Sequence, residues 1–252
     1  REHLPGESFE ADVINKYGRT LYDIFFKPYT EKFLFYGPAE LHRDWARAGV
    51  NRAVIDKGAS AENLWSLLKT TLLPKPVETT FLYPPTGVGR FSDRLADGIR
   101  HMGGRIMLGE SVTGLEVEGR RITAVRLGSE RVACQNLVWT GPLTVINRHL
   151  GIEGIGLEYL STIFYNIEMN KPLKRDYQWT YYGGDEIFSR VSAPAAFAAT
   201  TAPPGKSGLC VEFTCREGDE RWRDPERYTD AIIADLVRTK TIDSRSDIER
   251  VH

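Results

Sequence analysis

The sequence predicts a mixed fold, α+β with an α/β-like centre, in three stretches of different character. Apolar side chains recur at spacings of three and four over residues 8–36, as on a buried helix face. Residues 81–147 run from an aromatic-proline entry through a glycine turn, an amphipathic helix, a strand and a hairpin to an apolar run. The remaining stretch alternates like antiparallel strands and then turns helical. The expected division is 1–80, mostly helical; 81–147, a layered middle; and 148–252, an antiparallel sheet with a helix.

In the first stretch Ile14, Tyr17, Leu21, Ile24, Phe25 and Tyr29 share the helical stripe, with Gly18 as a weak point. Pro28 is expected to kink or end this helix near Lys27. The segment FFKPYTEKFLFYGPAEL is too rich in rings for a solvated face, so burial against another domain or a ligand is expected. After the Gly37-Pro38 turn, ELHRDWARAGVNRAVI reads as a short helix with Trp45 and Val50 inward. Residues 58–80 read as an insertion with a short helix, long enough to form a lid.

In the middle stretch Leu95, Ile99 and Met102 line one helix face, with Ser92 as the expected N-cap and Gly103-Gly104 as the stop. RIMLGESV reads as a strand, LEVEGRRITAVRL as a hairpin turning at Glu118-Gly119-Arg120, and NLVWTG as a buried strand. Further on, TIFYNIEMN and YQWTYYGG read as strands joined by KPLKRD, followed by IFSRVSAP and LCVEFTCR. Pro225 opens a helix carrying Tyr228, Ile232, Ile233, Leu236 and Val237, with Asp224 before it as a cap.

Composition narrows the function. The 252 residues are 41% hydrophobic and 27% charged, ordinary for a globular protein, and the chain can bury a sizeable core. A formal net charge of −1 gives nucleic acid or an anionic membrane no electrostatic purchase. No apolar run reaches the length of a membrane span and no signal peptide is present. Cys134, Cys210 and Cys215 form no CxxC pair and read as reduced thiols, which fits a cytoplasmic location. The five histidines have no metal spacing, no GxSxG occurs, and no Walker lysine follows the glycines. The chain opens on Arg1 and closes on SDIERVH, and both ends look cut.

The order of elements over 81–147, FLYPPTGVGRFSDRLADGIRHMGGRIMLGESVTGLEVEGRRITAVRLGSERVACQNLVWTGPLTVIN, resembles the middle of the FAD-dependent amine oxidase and protoporphyrinogen oxidase superfamily, which includes UDP-galactopyranose mutases. Residues 17–45 look like the substrate-domain helices of those proteins. Tyr17, Gly18, Leu21, Tyr22, Phe25, Phe26, Pro28, Tyr29, Lys32, Pro38, Glu40 and Trp45 match in place. The resemblance implies part of a Rossmann-like, glutathione-reductase-type FAD-binding domain plus a substrate domain with an antiparallel sheet and helices. The N-terminal GxGxxG of the family is not in this sequence, so an internal fragment of a larger flavoprotein is expected, inactive alone.

What the resemblance implies about sites is specific. Gly87 and Gly89 would lie near the isoalloxazine, and the backbone of Val112 would touch the FAD adenine. In WTYYGGDEIFSR the resemblance to mutases of the eukaryotic type puts Trp179, Tyr181, Phe188 and Arg190 on the substrate, with the spacing displaced by a residue. Aromatic faces stack on a base and a guanidinium grips a phosphate, so the chemistry is coherent. The plainer reading is an exposed strand with Arg190 in a surface ion pair. Lys32 reads as a solvated helix-face lysine, with a functional cation as the alternative. No general base can be named.

Three functions stay open. The first is an FAD-dependent oxidoreductase acting on a small-molecule substrate, in which the flavin does the redox work. The second is a UDP-galactopyranose mutase-like isomerase. The third is a non-catalytic binding module that holds no flavin. The sequence leaves the substrate and the oligomeric state open.

Overall fold

The structure is a computed structural model that describes residues 4–46, 82–154, 156–174 and 177–252. It divides into two compact units, residues 1–88 with 160–252, and residues 89–159. The expected lid in 58–80 and the inward Val50 lie outside the described residues.

The first unit begins with α1 (Phe9–Tyr17), whose N-cap Ser8 accepts from the N–H of Ala11 at 3.2 Å. The helical run breaks at Gly18, not at Pro28. Gly18 has φ 89° and ψ 159°, a backbone that L side chains avoid. The chain then winds through α2 (Arg19–Leu21), a π-helical turn (Tyr22–Phe26) and α3 (Lys27–Leu34) without interruption. In that π turn the N–H of Lys27 bonds back to the carbonyl of Tyr22, five residues earlier. The widened turn falls just where the Pro28 ring would meet the carbonyl four residues before it, so the proline is absorbed at the start of α3. Phe9, Val13, Ile14, Tyr22 and Phe26 pack this layer together.

The sheet of this unit has five strands: β4 (Ser161–Met169), β5 (Trp179–Tyr181), β6 (Arg190–Ser192), β7 (Ser207–Cys215) and β8 (Ile248–Val251). Their spatial order is β5-β6-β7-β4-β8, antiparallel throughout. KPLKRD therefore does not make a hairpin. β4 pairs with β7 over its whole length, from Ser161 opposite Cys215 to Met169 opposite Ser207. Nine matched residues outweigh local proximity to the three-residue β5. SDIERVH supplies β8, a strand the sequence reading missed because Ile248 and Val251 stand three apart, off the alternating period, and pair with Met169 and Ile167 only across a register shift.

One face of the sheet carries Tyr165, Ile167, Met169, Val191, Leu209, Val211 and Phe213. Against it packs α7 (Thr229–Arg238) through Ile232 and Leu236, on the helical spacing the sequence predicts. A 3₁₀ turn at Pro225–Tyr228 leads in, and Asp224 makes no side-chain cap bond. The short α6 (Glu220–Arg223) is capped instead by Asp219, whose carboxylate accepts from the N–H of Trp222 and of Arg216.

The second unit holds α4 (Gly89–His101), the antiparallel meander β1 (Val112–Glu118), β2 (Arg121–Leu127) and β3 (Glu130–Ala133), and α5 (Leu143–His149). The hairpin turns at Gly119-Arg120, as read from the sequence. Three expectations fail here. The helix starts at Gly89, so Ser92 lies inside its first turns and does not cap it. Residues 105–111 form no strand, and NLVWTG is neither strand nor buried, with Val138 exposed. Among the described residues neither segment has a strand beside it to complete a ladder, so apolar content alone cannot make one. In this unit Ala124 is the one buried described residue.

Candidate functional site

The second face of the five-stranded sheet is unlike the first. Register places Phe164, Glu212, Arg190 and Tyr181 side by side across β4, β7, β6 and β5. A neighbouring row holds Asn166, Cys210, Ser192 and Trp179. Paired residues of an antiparallel sheet share a face, so these eight side chains form one polar and aromatic surface.

At its centre a buried carboxylate meets a partly exposed guanidinium. Glu212 is 8% exposed, and its Oε1 accepts from Arg190 Nε at 2.7 Å and Nη2 at 2.6 Å. Arg190 Nη1 points to the Tyr181 hydroxyl at 3.5 Å, and the guanidinium carbon lies 5.7 Å from the Tyr181 ring centre. Burial alone would lower the arginine's pKa, but the Glu212 and Tyr181 contacts outweigh it and the group is held charged. From α3, Tyr29 meets Tyr181 edge-on with centroids 5.7 Å apart, and burial, then Tyr181, pushes its hydroxyl pKa well up. Burial likewise pushes the Cys210 thiol up, with Glu212 adding to it, which makes it a poor nucleophile at neutral pH.

Trp179 and Tyr181 keep 40% and 41% of their surface exposed and form the open edge of this surface. Phe197 leans on Trp179 at 5.2 Å and on Tyr83 at 5.0 Å, making a run of three rings. Thr200 Oγ1 also donates to the carbonyl of Pro85. The segment leading to Gly87 is thus pinned beside Trp179. Gly87 closes a turn onto the Pro84 carbonyl at 2.9 Å with φ 91°, and among the described residues nothing stands within 4 Å of where a Cβ would be. A flat ligand can come against main chain there. Gly89, at the start of α4, is equally open, and Val112 opens β1 opposite Leu127; both belong to the other unit.

The structure therefore brings Trp179, Tyr181 and Arg190 onto one face and sends Phe188 elsewhere. Phe188 is 0% exposed, inside the core, edge-on to Tyr182 at 4.9 Å. The cause is local. Ser189 gives both its N–H, at 3.0 Å, and its Oγ, at 3.3 Å, to the carbonyl of Glu212, while Arg190 also stands opposite Glu212. Two residues against one is the pattern of a β-bulge, and the extra residue breaks the alternation between Phe188 and Arg190.

The 182–188 loop that carries Phe188 is fixed from two sides. Lys32 donates to the carbonyls of Tyr182 at 2.8 Å and Phe188 at 3.4 Å and pairs with Glu186 at 3.4 Å. Asp235 accepts from the N–H of Ile187 at 2.8 Å. Lys32 is thus no solvated lysine; its side chain is 16% exposed, and burial pulls its pKa down despite the Glu186 charge.

Sequence reasoning overlooked Glu212, Tyr83 and Phe197. Glu212 had a signal, since a carboxylate in the middle of the apolar LCVEFTC is costly unless paired. No group of acidic, histidine and cysteine side chains suited to a metal exists among the described residues, nor a helix long and apolar enough to cross a membrane.

No family model matches the sequence, and no curated protein matches it. Solved structures do match. A reduced UDP-galactopyranose mutase superimposes over 100% of this chain and 56% of its own, with TM-score 0.75 and 14% identity. The likeness is one of fold. A protoporphyrinogen oxidase-like protein from Exiguobacterium sp. 255-15 covers 100% of this chain and 55% of its own, at TM-score 0.65 and 13% identity. An oxidoreductase from Methanosarcina mazei covers 98% and 56%, at 0.61 and 12%. The chain spans little more than half the length of these structures.

Proposed function

We propose that this chain is part of an FAD-dependent oxidoreductase of the amine oxidase and protoporphyrinogen oxidase kind. The open face of its five-stranded sheet is then a wall of the substrate site. The observation that carries this reading is the ring run Tyr83–Phe197–Trp179, which holds the approach to Gly87 against the Trp179 edge of that face. The fold shared with the mutase and oxidoreductase structures supports it.

Bound FAD supplies electron acceptance. The chain's own residues would do the rest: the Gly87 main chain would help hold the flavin, Trp179 and Tyr181 would flank the substrate, and Arg190, held by Glu212, would donate a hydrogen bond to it. Gly89 and Val112 are proposed as cofactor contacts of the second unit, taken by itself. The residues fit the ring end of the cofactor. The sequence offers no GxGxxG to cradle its pyrophosphate, so affinity for free FAD is weak.

The experiment is a flavin fluorescence titration with the 252-residue chain, alongside Gly87→Val. The reading expects quenching that saturates only at high protein concentration and weakens at least fivefold in Gly87→Val. Quenching that is absent, or indifferent to the substitution, would sink it.

The second reading, a mutase-like isomerase, is favoured by Trp179, Tyr181 and Arg190 sharing one face. It requires that face to accept a nucleoside diphosphate.

A further inference from the structure

The charge state of the open face bears on which ligand it takes, an inference that rests on reading the face as a substrate wall. We propose that Glu212 is a specificity-determining residue, selecting an uncharged ring-shaped ligand and disfavouring a nucleoside diphosphate.

The guanidinium of Arg190 has three nitrogens, and Glu212 engages two of them. Nε and Nη2 both go to Oε1, at 2.7 and 2.6 Å. What remains is Nη1, whose 3.5 Å contact to the Tyr181 hydroxyl is too long to be strong and yields readily to a better acceptor. Nη1 and the second N–H of Nη2 still form an edge able to make paired bonds, so what opposes an anion there is charge and not want of donors.

The pair is also electrically closed. The charged groups acting on Tyr29 and on Cys210 are Arg190 and Glu212, one of each sign. Lys32, the cation of α3, is turned to Glu186 and the carbonyls of the 182–188 loop. A diphosphate at Nη1 would therefore meet a guanidinium already neutralised. It would sit close to a carboxylate that is 8% exposed and poorly screened by water. The flanking surfaces of Trp179 and Tyr181 suit the faces of a ring.

Uridine and UDP, the same ring without and with the diphosphate, separate the alternatives. Binding is followed in the part of the tryptophan emission that Trp179→Phe removes, at low and at high salt, in the wild-type chain and in Glu212→Gln. The wild type is expected to bind uridine at least as tightly as UDP. Glu212→Gln should shift the UDP-to-uridine affinity ratio tenfold or more toward UDP, most strongly at low salt. UDP binding tenfold tighter than uridine in the wild type would overturn the proposal while leaving the face as a ligand site. A ratio unmoved by Glu212→Gln would also overturn it. Failure of both probes in both proteins would remove the face as a binding surface, and the proposal with it. The wild-type ratio needs no variant, so it decides even if Glu212→Gln does not fold.

Discussion

The two units of this chain were built from equally clear local signals and ended with very different interiors. In the first, β7 is buried along most of its length, with α7 on one side and the Arg190–Glu212 face on the other. In the second, α4 and the meander form where the pattern says they should, yet Ala124 alone is buried among its described residues. Phe91, Leu95, Ile99 and Met102 lie along one side of α4, all exposed. Local periodicity makes elements; only a matching face makes a core.

That contrast can be broken most directly by truncation. Phe213, fully buried between Tyr165 and Tyr228, should cost about 3–5 kcal/mol as Phe213→Ala. Leu95→Ala on α4 should change stability by no more than about 0.5 kcal/mol. Urea unfolding of the two variants measures both, and a comparable loss at Leu95 would mean that the second unit has a core after all.

A smaller effect sharpens the same contrast. Lys32 replaces what an apolar contact would do elsewhere in the first unit, and Lys32→Ala strips two carbonyls and a carboxylate of their donor. The expected cost is about 2–3 kcal/mol. A cost under about 1 kcal/mol in denaturant melts would show that the 182–188 loop is held by packing alone.

The smallest expected effect is at Asp219. Burial raises its pKa, but the N–H donors of Arg216 and Trp222 more than compensate, and the carboxyl sits below its ordinary value. The folded form thus binds its proton less readily than the unfolded one. Its contribution is complete at neutral pH and is lost as pH falls through and below the usual aspartate range. Asp219→Ala should cost about 1 kcal/mol at pH 7 and progressively less toward pH 3, read from melts across that range. A cost independent of pH would assign the effect to something other than the cap.

Much of the fold was legible where one element's pattern suffices. The α7 stripe, the Gly119-Arg120 turn and β7 follow from spacing alone. What was not legible depends on partners far along the chain. β4 chose β7 over β5, and the apolar NLVWTG found no strand to join among the described residues. Pro28 misled because the π turn before it removes the expected clash, which no single-residue rule anticipates. Of the candidate site, Trp179, Tyr181 and Arg190 could be picked out by residue type, whereas Glu212 and the Tyr83–Phe197 rings are joined to them only by register and packing.

The Ser189 bulge has a consequence for how this surface can change over time. Parity along a strand is a two-state code, and one extra residue is the switch that writes it. Loss of a single codon at Ser189 would make Phe188 and Arg190 strand neighbours, which ordinary alternation sets on opposite sides, so the ring and the guanidinium would keep the sides they hold now. The face can thus survive a length change at Ser189, whereas loss of Val191, inside the regular ladder, would set Arg190 and Ser192 on opposite sides and break it. In comparing relatives of this chain, a gap at Ser189 is therefore compatible with the same face, whereas a gap at Val191 is not.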